Sequence, residues 1–299
     1  MADKPFLDKY PLNTSWLIAS TLPALLPSTS TYPTAVHVFV HHSPLRVAYH
    51  RVAELLPTLL PPESGMNPAP DIILHIGLAS GRSFYTLERG ARRIGFDRVP
   101  DVDGKKWSDE DRERVWPGDV YPDALRTGFV VEDVLQRWKE NLAYELAVKT
   151  ANETQPDNDT AQHNRTEEIR PPPNTHLPDI RISPDAGNFL CGFSYYTSLA
   201  HYFALNRKLE IKSKSEPTTQ EHQEAESKNA APSTPVAFLH VPDLSGSEEA
   251  LEVGRRVVIG LIRALVESRR SVGVGDGSNH DEEKSEVGAA RMDSNFTRG

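Results

Sequence analysis

The sequence predicts an α/β protein: a three-layer α/β/α sandwich with a mostly parallel central sheet. Two observations carry that expectation. Apolar runs of strand length alternate along the chain with segments whose apolar residues recur at helical spacing. The composition, 38% hydrophobic and 25% charged over 299 residues, is that of a soluble globular chain.

The elements follow in order. Residues 13–26 read as a helix capped by Asn13, with Trp16, Leu17, Leu22, Leu25 and Leu26 as its apolar series. Over residues 35–41, Val36, Val38 and Val40 alternate with His37, Phe39 and His41, as in a strand with two unlike faces. Residues 46–60 carry Val47, Val52, Leu55 and Leu56 at helical spacing, and residues 71–76 (DIILHI) form a short apolar run expected to be a buried strand. The clearest amphipathic helix is 130–146, with Val131, Val134, Leu135, Trp138 and Leu142 along one face. A strand at 179–183, a turn at 184–188, a helix at 189–205, a strand at 236–240 and a helix at 247–268 complete the pattern. Residues 150–178, 213–234 and 271–299 are polar, with too few apolar side chains to offset the entropy of ordering, and are expected to be disordered. The organisation expected is therefore one domain over residues 5–268, with two polar inserts and a disordered tail.

Charge and cysteine usage narrow the function. A net charge of -9 argues against nucleic acid and against an anionic membrane surface, since both call for clustered Lys and Arg. The start MADKPFLDKY is charged and unlike a signal peptide, and no apolar run approaches the roughly 20 residues of a membrane helix, so a cytoplasmic location is expected. Cys191 is the single cysteine, which excludes an intramolecular disulfide and a multi-cysteine metal site. His41 and His42 have no second cluster at ligand spacing, and neither a metal nor another cofactor is expected. Gly77 and Gly81 lack the Gly-Lys-Ser/Thr ending of a phosphate loop.

The informative stretch is DAGNFLCGFSYYTSL, residues 185–199, where a strand turns through Ala186-Gly187 into a helix beginning near Cys191. A lone cysteine taken by itself is more often a small buried hydrophobe than a nucleophile. At a helix N-terminus, however, unpaired N–H groups and the helix dipole favour the thiolate, and the same N–H groups can stabilise an oxyanion. Most of the eleven histidines invite a surface or packing role, His75 inside DIILHI among them. His240 differs in standing at the C-terminal end of a short apolar strand, where active sites of open α/β sheets lie. Glu88 by itself reads as a surface carboxylate.

Three motifs together resemble the pyroglutamyl-peptidase I family of cysteine peptidases: the Cys191 stretch, IGLASGRSFYTLERGARR at residues 76–93 with its continuation through Asp97-Arg98-Val99-Pro100-Asp101, and VAFLHVP at residues 236–242. The Tyr-Tyr-Thr-Ser-Leu after the cysteine, and Gly192 beside it, are similar to the family's eukaryotic branch. The resemblance implies a cysteine omega peptidase that releases N-terminal pyroglutamate from peptides. It implies Cys191, His240 and Glu88 as the catalytic triad, Phe6, Leu78, Val99, Phe189 and Leu190 around the lactam ring, and Arg98 in support. Family members begin with a strand ending in Gly-Phe-x-Pro-Phe. Only Pro5-Phe6 matches it here, so that first strand is expected to be missing and the N-terminus shortened. Two readings stay open: an active peptidase, and a catalytically impaired relative that binds peptides or serves as a scaffold.

Overall fold

A computed structural model describes residues 13–66, 68–153, 177–215 and 234–275, those at 147–153 and 209–215 as backbone. The expected disordered inserts and tail fall almost entirely outside the described residues, as does Phe6. Helix α1 (Thr14–Ala19) is capped by Asn13, whose side chain accepts from the Ser15 N–H at 3.0 Å. It is shorter than the expected helix over 13–26. The Ser20 and Thr21 hydroxyls bond back to the carbonyls of Leu17 and Ile18, Pro23 follows, and Leu25 and Leu26 become strand β1.

The expected strand over 35–41 is reduced to β2 (Val36–His37), which pairs antiparallel with β1. Helix α2 (Tyr49–Leu59) and strand β3 (Ile73–Leu78) follow, each displaced by a few residues from the expected bounds. Next come β4 (Tyr85–Glu88), β5 (Gly90–Arg92), α3 (Asp109–Val115) and β6 (Ala124–Arg126), none of which the periodicity marks. Helix α4 (Val131–Glu153), strand β7 (Ile180–Ser183), helix α5 (Leu190–Ser215), strand β8 (Val236–Val241) and helix α6 (Glu248–Ser271) agree with expectation, although α4 and α5 run further than their apolar patterns do.

The fold is α/β. The main sheet has the order β3-β8-β4-β7, with β3–β8 and β4–β7 parallel and β4–β8 antiparallel, so it is mixed and mostly parallel. Two cores cover it. On one face Val236 and Phe238 pack against α2 and α5, through Tyr49, Val52, Phe193 and Tyr196. On the other, Ala237, Leu239 and Val241 pack against α1, α4 and α6, through Ile18, Trp138, Val257 and Leu261. Strand alternation makes that division, and it assigns sides to the polar residues as well. Because Tyr85 and Leu87 enter the α4/α6 core, Thr86 and Glu88 face α5, as His240 does by its two-residue spacing from Phe238.

Strand β3 lies at the edge of this sheet. The N–H groups of Ile73 and Ala79 donate to β8 or the residue preceding it, so those of Leu74, Ile76 and Leu78 point away, where no strand among the described residues pairs with them. Along that edge runs a wide cleft of about 1920 Å³, which reaches Cys191 and His240 at one end and is also lined by the exposed Phe39 and Val40.

Candidate active site

The turn into α5 builds the first part of the site. Asp185 Oδ1 accepts the Gly187 N–H at 2.9 Å, the Ala186 N–H bonds the Gly90 carbonyl at 3.1 Å, and Gly187 takes φ +80°, which suits a residue without Cβ. The first helical bond of α5 runs from the Phe193 N–H to the Phe189 carbonyl, so Cys191 stands in the first turn, where N–H groups have no partner within the helix. Close approach is needed on both sides of the thiol. A Cβ on Gly77 would lie 2.9 Å from the Cys191 sulfur, and one on Gly192 would lie 1.8 Å from the Gly187 carbonyl oxygen.

The two strands behind the thiol supply the other ionisable groups. Thr86 on β4 sits opposite His240 on β8, and Glu88 projects from the same face as Thr86. His240 Nδ1 is 2.8 Å from Glu88 Oε1, with Glu88 fully buried and the histidine nearly so. Oε1 also accepts the Thr86 hydroxyl at 2.7 Å and Arg82 Nη1 at 3.1 Å. Glu88 Oε2 has no hydrogen-bond partner by distance and angle, although Ser183 is its neighbour across β4–β7.

These contacts set the charges. Burial works against a cationic His240, but the charge and hydrogen bond of Cys191, followed by those of Glu88, outweigh it and raise the imidazole from 6.5 to about 9. Burial likewise opposes the Glu88 carboxylate, yet hydrogen bonding to and the charge of His240, with help from Thr86, hold it below the usual glutamate range. An imidazolium at His240 and a carboxylate at Glu88 are thus favoured together, each buried and compensated by the other.

Of the expected pocket residues, Leu78, Arg98, Val99, Phe189 and Leu190 all line the cleft that holds Cys191 and His240. Phe189 packs edge-on against Tyr49, with ring centroids 6.0 Å apart, and the Tyr49 hydroxyl donates to the Val99 carbonyl at 3.2 Å, which ties that wall together. His75 is where packing puts it, stacked on Phe238 at 5.8 Å and bonded to the Ser198 hydroxyl at 2.9 Å. Among the described residues no group of His, Cys, Asp and Glu could hold a metal ion, and no helix is long and apolar enough to cross a membrane. Arg82 and Thr86 escaped the sequence reading. Thr86 could have been found from its place two residues before Glu88 on a strand, whereas nothing local marks Arg82.

Residues 5–123 match the family described as pyroglutamyl peptidase, and a pyrrolidone-carboxylate peptidase of Pyrococcus furiosus is 51% identical over 41 residues. Residues 5–123 are thus similar to the pyroglutamyl peptidases. The 41-residue aligned segment is 14% of this chain and spans about a fifth of the relative, 20% of its length. Solved structures extend the likeness at the level of the fold. A mutant pyrrolidone carboxyl peptidase from P. furiosus superposes with a TM-score of 0.52 at 21% identity, covering 88% of this chain and 95% of the other. The P. furiosus pyrrolidone carboxyl peptidase solved together with its Cys-free mutant gives 0.50 at 22% identity, covering 86% and 92%. The family match includes Glu88 and ends before Cys191 and His240. The case for those two as partners of Glu88 therefore rests on the geometry above.

Proposed function

We propose that this chain is a cysteine peptidase that hydrolyses the bond between an N-terminal pyroglutamate and the next residue of a peptide. The observation that carries the reading is the position of His240, bonded at 2.8 Å to the buried Glu88 and raised in pKa by Cys191. The Cys191 thiolate attacks the pyroglutamyl carbonyl, and the N–H groups at the start of α5 stabilise the oxyanion. His240 gives its proton to the departing amine, leaving a thioester on Cys191. It then takes a proton from the water that cleaves the thioester. Glu88 holds the ring orientation and stabilises the imidazolium, as the third member of such triads does. The lactam ring is small, largely apolar and uncharged, which suits the walls formed by Leu78, Val99, Phe189 and Leu190, with Phe6 proposed as a further contact and Arg98 as support. A free α-ammonium there would be buried without a partner, at a cost of several kcal/mol.

The test is hydrolysis of a fluorogenic pyroglutamyl amide by the purified chain, with the corresponding glutamyl amide as control. Turnover of the first alone, lost in Cys191→Ala and after alkylation by iodoacetamide, supports the reading. Full activity of Cys191→Ala overturns it. No turnover by a folded wild-type chain that still binds a pyroglutamyl peptide would favour the impaired, peptide-binding relative instead.

A further inference from the structure

We infer that Arg82 is a positioning residue whose charge, delivered through Glu88 and Thr86, sets the proton distribution of the Cys191–His240 pair. The inference rests on the proposed function for its chemistry. Arg82 belongs to the loop between β3 and β4, where its N–H bonds the Ala79 carbonyl at 2.9 Å. Its side chain turns back over β4, and Nη1 donates to the Thr86 hydroxyl at 2.7 Å and to Glu88 Oε1 at 3.1 Å. Thr86 in turn donates to the same Oε1 at 2.7 Å. One carboxylate oxygen therefore serves two cations, His240 from β8 and Arg82 from the loop, with Thr86 held between Arg82 and the carboxylate.

The charge count shows what this does. With Cys191 as thiolate, His240 as imidazolium and Glu88 ionised, the three groups sum to one negative charge in a desolvated site. Arg82 brings the sum to zero, and it is only 23% exposed, so water screens it incompletely. Other charges near the site are few. From β7 comes the neutral Ser183, and Asp185 in the turn that follows it is paired with Arg92 at 3.3 Å. From α5 comes Tyr195, whose hydroxyl donates to the Glu88 carbonyl, and from β3 comes His75, kept neutral by desolvation. Asp97 and Arg98 also line the cleft, as one charge of each sign. Among these, Arg82 is the guanidinium bonded directly to the triad carboxylate.

Removing a fixed positive charge makes every nearby proton harder to lose. Without Arg82, Cys191 gives up its proton at higher pH, and so does the imidazolium of His240. A residue that merely filled space in the loop would leave both steps where they are.

Because Cys191 is the only thiol, its alkylation by iodoacetamide reports the thiolate without any substrate. The experiment measures that rate against pH, by intact mass, for the wild type and for Arg82→Met, Arg82→Gln and Arg82→Lys, with kcat and KM for the pyroglutamyl amide alongside. The expected result is an inflection raised by about 0.5–1 pH unit in both the Met and Gln variants and restored by Lys. In the substrate assay, both limbs of the kcat/KM profile should move upward by a similar shift. An unchanged inflection in folded Arg82→Met or Arg82→Gln overturns the inference, as does a shift in Met that Gln alone restores, which would assign the effect to hydrogen bonding and not to charge. If the wild type leaves the amide uncleaved, the proposed reaction fails while the alkylation profiles still decide the role of Arg82.

Discussion

At the scale of single residues, the site is an arrangement of protons, and its pH dependence follows from sign. His240 is raised to about 9, so its imidazolium persists through neutral pH, and under the proposed mechanism turnover should fall as pH rises through about 9. The same shift contributes stability that is fully present below the unfolded value near 6.5 and is lost as pH rises through about 9. Scanning calorimetry between pH 7 and 10 should show melting temperature falling in the wild type and much less so in His240→Ala. His75 works in the opposite sense. Desolvation lowers it to about 4, so the unfolded chain takes up a proton between about 6.5 and 4 that the folded chain refuses, and acidification across that window should cost about 3 kcal/mol. A melting temperature that stays flat from pH 7 to pH 4 would contradict this. Replacing the triad members grades their roles: Cys191→Ala and His240→Ala should abolish hydrolysis, whereas Glu88→Gln should retain a measurable rate, because the carboxylate transfers no proton. At this scale the sequence was legible where a residue sat inside a motif with a structural meaning, as Cys191, His240 and Glu88 do. Arg82 was illegible because its role depends on a loop folding back over a strand.

At the scale of elements, the start of α5 is the part that tolerates least. Gly192 follows Cys191, the proposed nucleophile, and any Cβ there would lie 1.8 Å from the Gly187 oxygen, so Gly192→Ala must shift the Asp185–Gly187 turn or the helix start. A displacement of about 1 Å at a nucleophile can cost on the order of 100-fold in rate. Steady-state kinetics on Gly192→Ala should therefore show a large fall in kcat with the circular dichroism spectrum kept, and wild-type turnover would show that the turn absorbs the methyl group without moving the thiol. Helices α4 and α6 were readable from their apolar faces, and β8 from a short apolar run that is buried on both faces. Strand β4 was not. Its four residues Tyr85–Glu88 are all buried, with Tyr85 and Leu87 in one core and Thr86 and Glu88 in the site, so a polar pair occupies positions that alternation alone assigns to solvent. The expected helix over 13–26 was too long because Leu25 and Leu26 continue its apolar character while serving a strand instead.

At the scale of the whole molecule, the sheet separates a structural half from a chemical half. The α1/α4/α6 side is a packed core in which the buried Trp138 donates from Nε1 to the Val257 carbonyl at 2.8 Å, away from the cleft. Trp138→Ala should destabilise by about 3–5 kcal/mol, lowering the melting temperature while leaving kcat unchanged at temperatures where the chain stays folded. The cleft side has a different vulnerability. Among the described residues no strand pairs with the N–H groups of Leu74, Ile76 and Leu78 on β3, beside the exposed Phe39 and Val40, and an edge of that kind invites pairing with another chain. Since that edge leads directly to Cys191, two molecules meeting there would cover each other's entrance. Dilution would then act as an activator: turnover per mole should rise as the stock is diluted, light scattering should fall in parallel, and Phe39→Lys should weaken both trends by placing a charge where the copies touch.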